Sequence, residues 1–91
     1  MRGVESFVRS VELGSLAAAS RRLGISAAAV SQNIARLESS LGTRLLTRTT
    51  RSLVLTDTGE VYYQRVKGLL QEMELAAEAV SYVEGKVSGR L

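Results

Sequence analysis

Val4, Phe7, Val8 and Val11 stand at i, i+3, i+4 and i+7. That spacing lines one face of a helix and predicts a first helix over roughly residues 2–12. Gly14 ends it. Ser15 is a good cap for a second, short helix that turns Leu16, Ala19 and Leu23 inward, and Gly24 suits its C-terminus because glycine accepts a positive φ. After Ile25, Ser26 caps a third helix. Its apolar positions Val30, Ile34, Leu37 and Leu41 run 4-3-4 up to Gly42, and all four are expected in the core. The period then changes. Arg44–Arg48 and Ser52–Thr56 are rich in apolar and β-branched residues and read as two short strands of a hairpin, with Thr49, Thr50 and Arg51 at its tip. Thr56 or Asp57 caps a long helix, Asp57 and Glu60 resembling a capping box. Within it Tyr62, Val66, Leu69, Met73, Ala76, Val80, Val83 and Val87 repeat at 4-3-4-3 spacing, an apolar seam sustained for more than three heptads. At 1.5 Å per residue, about 28 residues extend about 42 Å, too far for a small head to bury the whole seam. Gly85 and Gly89 weaken the last turns, so fraying is expected near residue 84.

Composition narrows what such a chain can do. Its 91 residues suffice for one domain, near the lower end of what buries a self-sufficient core. It has no Cys and no His, which excludes disulfides, thiol nucleophiles, imidazole bases and His- or Cys-ligated metals. The close carboxylate pair Asp57 and Glu60 is accounted for as helix capping, and no nucleophile has an evident base. No catalytic residue, metal or cofactor is therefore expected. Unbroken apolar runs are too short to span a membrane, and no signal-peptide core opens the chain, so a cytoplasmic location is expected.

Charge is uneven. Residues 1–51 hold eight basic and three acidic side chains, net +5, and residues 52–91 hold four basic and six acidic, net −2. All but Lys67 and Lys86 of the basic residues are Arg, whose planar fork suits phosphate and guanine. A nucleic-acid-facing head joined to a different kind of element fits this division. A mildly basic solvated surface fits it as well.

The second and third helices discriminate further. Small Ser20, Gly24 four residues on and Val30 six after that match a helix-turn-helix, in which the two helices cross closely and the glycine makes the turn. With the 4-3-4 stripe turned inward, the third helix presents Ala27, Ala28, Ser31, Gln32 and Ala35, none of them charged. A merely solvated face would carry Glu and Lys. Short side chains, a hydroxyl and an amide suit the edges of base pairs, with Gln32 on adenine and the alanines on thymine methyls, and Arg36 one turn on would meet phosphate. The alanines are also simply good helix formers. Arg48 and Arg51 flank the hairpin tip, where Arg can enter a narrow minor groove; a solvated turn would carry them too. The predicted fold is mostly α: a winged helix-turn-helix of three helices and a β-hairpin wing, then a long helix. A winged helix used for protein contact through that long helix remains a competitor, against which the Arg-rich, carboxylate-poor front half argues.

Ser15–Ser26, Ala29–Glu38, Leu41–Arg51 and Leu55–Glu60, taken in this order and spacing, resemble the LysR-type transcriptional regulators of bacteria. The resemblance covers essentially the whole chain and implies a regulator that binds double-stranded DNA at a palindromic operator. It implies a DNA-binding domain over 1–56, a linker helix over 57–86 that dimerises through Tyr62, Val66, Leu69, Met73, Ala76, Val80 and Val83 of two antiparallel copies, and a hinge over 87–91. A domain binding a small-molecule effector is then expected beyond the hinge, with a tetramer open to the full-length protein. By position, major-groove contacts fall on Ala27, Ala28, Ser31 and Gln32, the minor-groove contact on Arg51 with Ser52, and phosphate contacts on Ser15, Arg36, Thr47, Arg48 and Thr50. The family often has Gln-Pro where this chain has Ala27-Ala28, so direct readout shifts to Ser31, Gln32 and the wing.

Overall fold

The computed structural model describes residues 1–48 and 52–85. Helix α1 spans Arg2–Leu13, α2 Leu16–Leu23 and α3 Ala27–Leu41; strands β1 (Leu46–Arg48) and β2 (Leu53–Leu55) follow, and α4 spans Asp57–Val83. The chain is thus mostly helical, with a helix-turn-helix, a hairpin and a long last helix. The tip residues Thr49, Thr50 and Arg51 and residues 86–91, with Val87 and the expected hinge, lie outside the described residues.

Helices α2, α3 and α4 begin where the sequence supplies a side-chain cap, whereas α1 starts after Met1 without one. Ser15 Oγ accepts from the Ala18 N–H and Ser26 Oγ from the Ala29 N–H, both at 3.0 Å. Between α2 and α3, Gly24 has φ 72°, a left-handed conformation that turns the chain within three residues. Thr56 caps α4: its Oγ1 accepts from the Gly59 N–H at 2.9 Å and donates to the Arg44 carbonyl at 2.7 Å. The expected capping box of Asp57 and Glu60 does not form. With Thr56 as the cap, Asp57 is the first helical residue, and the position that would complete the box is Gly59. Both carboxylates still face the positive end of the helix dipole.

The core gathers Phe7 and Val8 of α1, Ala19 of α2, Val30 and Ile34 of α3, Leu45 and Leu46 at the hairpin, and Val66 and Leu70 of α4. Phe7 is fully buried, its ring 5.8 Å from that of Tyr62 and 6.2 Å from that of Tyr63. Leu41, expected in this core, is 43 % exposed. It is the last residue of α3, and the chain turns away from the packed elements at Gly42. Asn33 instead occupies a buried place on α3.

β1 and β2 pair antiparallel, with Leu46 opposite Leu55, Thr47 opposite Val54 and Arg48 opposite Leu53. Glu38 fixes the approach to the hairpin. Its Oε2 accepts from the backbone N–H groups of Leu45 (2.8 Å) and Leu46 (3.1 Å) and lies 3.6 Å from Arg44 Nε.

α4 leaves this head at Gly59, where a Cβ would overlap the Leu45 carbonyl oxygen. Only glycine lets the helix start this close to the hairpin. Gly59, Val66 and Leu70 then face the head, with Tyr62 and Tyr63 half-buried beside them. The molecule measures 45 × 24 × 19 Å because the rest of α4 runs on past the core. Leu69, Met73, Val80 and Val83 are 64, 54, 59 and 84 % exposed, and Ala76 between them is exposed too. At 3.6 residues per turn this row lies about a quarter turn around α4 from the row that faces the head. The 4-3 seam therefore divides: Tyr62 and Val66 close against the head, and the stretch from Leu69 onward is bare.

Candidate nucleic-acid interface

α3 is held from behind and free in front. Its inner side is fixed by Val30 and Ile34 in the core and by Asn33, whose Nδ2 donates to Ser6 Oγ on α1 at 3.1 Å. Its outer side shows Ala27, Ala28, Gln32, Ala35 and Arg36 to solvent, with Ser31 half-buried. The uncharged surface expected from sequence is thus continuous over the first two turns of α3. Arg36 follows it, with Nη2 donating to Asn33 Oδ1 at 2.5 Å. Asn33 therefore ties an exposed guanidinium to a buried hydroxyl of another helix. Sequence reading missed this residue, although its place three positions before Arg36 and three after Val30 was a usable signal.

The hairpin lies beside the C-terminal half of α3. Leu16, Ile34, Glu38, Leu46 and Arg48 border one small recess, so Arg48 and α3 share one side of the molecule. Thr47, Arg48 and Ser52 are exposed, as is Val54 opposite Thr47. Thr50 and Arg51 lie outside the described residues. Ser15 is half-buried and its hydroxyl oxygen already serves the start of α2.

The arginines of the basic front half do not all serve one surface. Arg21, Arg22, Arg36 and Arg48 are exposed, and exposed Arg44 is paired with Glu38. Arg9 is different: it is buried, pairs with Glu12 at 2.9 Å and also with Glu74 of α4. Burial opposes its charge, but the hydrogen bond to Glu12 and the charges of Glu74 and Glu12 outweigh burial and raise its pKa above the usual arginine value. Among the described residues, no group of acidic residues could hold a metal ion, and no helix is long and apolar enough to cross a membrane.

Comparison with known proteins gives this geometry a context. The family model described as bacterial regulatory helix-turn-helix protein, lysR family, matches residues 1–60. The HTH-type transcriptional regulator PtxR of Pseudomonas aeruginosa is 42 % identical over 86 residues, covering 94 % of this chain and 28 % of PtxR. The full-length structure of the virulence activator AphB of Vibrio cholerae superposes with a TM-score of 0.82 at 34 % identity, covering 87 % of this chain and 27 % of AphB. The BenM DNA-binding domain, solved in complex with catB site 1 DNA, superposes with a TM-score of 0.81 at 29 % identity, covering 94 % of this chain and 97 % of that one. The chain spans about a quarter of the length of the curated relatives it matches.

Proposed function

The chain belongs to the lysR family of bacterial helix-turn-helix regulatory proteins, and on that premise we propose that it binds a palindromic DNA operator as a dimer and so regulates transcription. The observation that carries this reading is the outer face of α3. Ala27, Ala28, Gln32 and Ala35 are exposed and uncharged on a helix whose other side is locked into the core. Such a face can approach base edges without desolvating a charge.

In this reading Gln32 and Ser31 hydrogen-bond base edges, and Ala27 and Ala28 meet thymine methyls. Arg36, Thr47, Arg48, Thr50 and Ser15 serve phosphates, while Arg51 and Ser52 serve the minor groove. Phosphate contacts supply most of the affinity and fix the register; base contacts supply the selectivity. The dimer forms through Leu69, Met73, Ala76, Val80 and Val83, a bare apolar row on a helix of 27 residues that another copy of the same row would cover. Tyr62 and Val66, at the head end of the seam, support it from within their own chain.

Selection of preferred duplexes from a random pool, followed by gel-shift titration, tests this. Binding should weaken steeply with salt, as phosphate contacts release counterions. Gln32→Ala should relax preference at one position per half-site, by about 1–3 kcal/mol against the wrong base. Arg48→Ala should weaken binding to all duplexes and lower the salt slope by about one, and Arg51→Ala should weaken binding most on duplexes with a narrow minor groove. Unchanged affinity and preference in all three variants would sink the assigned contacts, and a monomeric mass at micromolar concentration would sink the dimer.

A further inference from the structure

The contact between Arg9 and Glu74 is not needed to build the DNA-reading face, yet it joins the head to α4 by an ion pair. It joins residues 65 apart in sequence, from α1 to α4. The Arg9 side chain is 10 % exposed and that of Glu74 34 %, so the pair is partly shielded from water and from salt. Glu12 at 2.9 Å gives Arg9 a second carboxylate on its own helix. Glu74 lies one helical turn beyond Leu70, the outermost core residue of α4. Alongside opens a cleft of about 560 Å³ between α1, the α2–α3 turn and α4, bordered by Arg2, Glu5, Arg22 and Glu78 as well as the pair itself. Apolar packing does not fill this gap. Across it the head is held to α4 by charge.

α4 packs on the head from Gly59 to Leu70, and a distinct contact stands at each end of that stretch. One is the close approach of Gly59 to the Leu45 carbonyl, a steric pivot. The other is Arg9–Glu74, about four helical turns away along α4. The core contacts of Val66 and Leu70 lie between them, and the outer contact can be released without opening that core. We propose that Arg9 and Glu74 act as positioning residues that fix the angle between the DNA-reading head and α4, and through it the half-site spacing the dimer accepts. The proposal rests on the dimeric DNA-binding reading above. The molecule is 24 × 19 Å across its two shorter axes. A swing of about 10° at a radius on the order of 20 Å moves α3 by about 3.5 Å, close to the ~3.4 Å rise of one base pair. Loosening the pair should therefore blur the spacing by about one base pair in each half.

The test uses the 91-residue chain and duplexes carrying its selected half-site, either once or twice at spacings stepped by one base pair. The variants are Glu74→Gln, which is isosteric and leaves Glu12 to Arg9, and Arg9→Lys, which keeps the charge but not the two-pronged geometry. Wild type should favour one spacing at least tenfold over its neighbours. Both variants should bind the single half-site within twofold of wild type while their preference among spacings falls below about threefold. A merely structural defect would lower single-site affinity as well. If both variants retain the wild-type spacing preference, the clasp proposal is overturned and the dimeric reading stands. If wild type itself shows no spacing preference, the dimeric reading falls and the proposal with it.

Discussion

The head turns most of its large apolar side chains inward, whereas the outer part of α4 leaves them in solvent. In the head, Phe7, Val8, Val30 and Leu45 are each at most 1 % exposed, and four helices and a hairpin converge on them. On α4 beyond Leu70, Met73, Val80 and Val83 are more than half exposed, although the spacing of apolar residues is just as regular. The same periodicity thus has two outcomes, decided by whether another element of the same chain is within reach. A helix of 27 residues, about 40 Å long, extends well past a head only about 24 Å across. The head is covered by its own chain; the outer seam is not.

Substitutions in the head and in the outer seam should therefore have different consequences. Phe7→Ala removes the ring around which Tyr62 and Tyr63 pack and should cost about 3–5 kcal/mol, seen as a large fall in melting temperature at every protein concentration. Gly59→Ala forces a methyl onto the Leu45 carbonyl. It should cost about 1–3 kcal/mol by the same assay, with the loss centred on the junction of hairpin and α4. Val80→Glu touches only the outer seam. It should leave a dilute, monomeric sample as stable as wild type, yet raise the dimer dissociation constant at least tenfold in sedimentation, about 1.4 kcal/mol. A stability loss independent of concentration would show that Val80 serves the head instead.

Asn33→Ala leaves the buried Ser6 hydroxyl without its donor and Arg36 without its tether. It should cost about 1 kcal/mol of stability and weaken duplex binding in parallel with Arg36→Ala, with little further loss in the double variant. Tyr63 offers the smallest effect. Burial first, then the charges of Glu12 and Glu60, raise its pKa above the ordinary value of 10, with Arg9 partly opposing. An acid whose folded pKa is raised contributes stability that is complete below its unfolded pKa and is lost as pH rises through the folded one. Alkaline unfolding above about pH 10 should therefore be slightly less steep in Tyr63→Phe, while the two proteins match at neutral pH.

Much of this architecture was legible because it rests on local rules. Ser15, Ser26 and Gly24 mark ends and a turn through their own backbone and hydroxyl chemistry, and Phe7 and Val30 announce themselves by helical spacing. What escaped involves partners distant in sequence. Leu41 continues the 4-3-4 pattern but lies beyond the last element able to cover it. Glu38 looks like a surface charge until its carboxylate is seen to hold the Leu45 and Leu46 amides. Arg9 counts toward the basic front half yet is neutralised by Glu12 and Glu74, the latter in the acidic back half. In the candidate interface, the short uncharged residues of α3 could be picked out by subtracting the inward stripe. For Asn33 spacing hints only at an inward place, because its role is set by the hydroxyl and guanidinium it joins.

The quarter-turn offset between the two faces of α4 has a consequence for symmetry. When two such helices pair antiparallel along their bare rows, the two-fold axis passes between them, perpendicular to the plane that holds both. A domain attached opposite the row would be carried to opposite flanks of the pair. A domain attached a quarter turn away points along the axis itself, which the two-fold operation leaves unchanged. Both heads then stand on the same side of the pair, one toward each end. They can rest on a single straight rod without the pair having to twist.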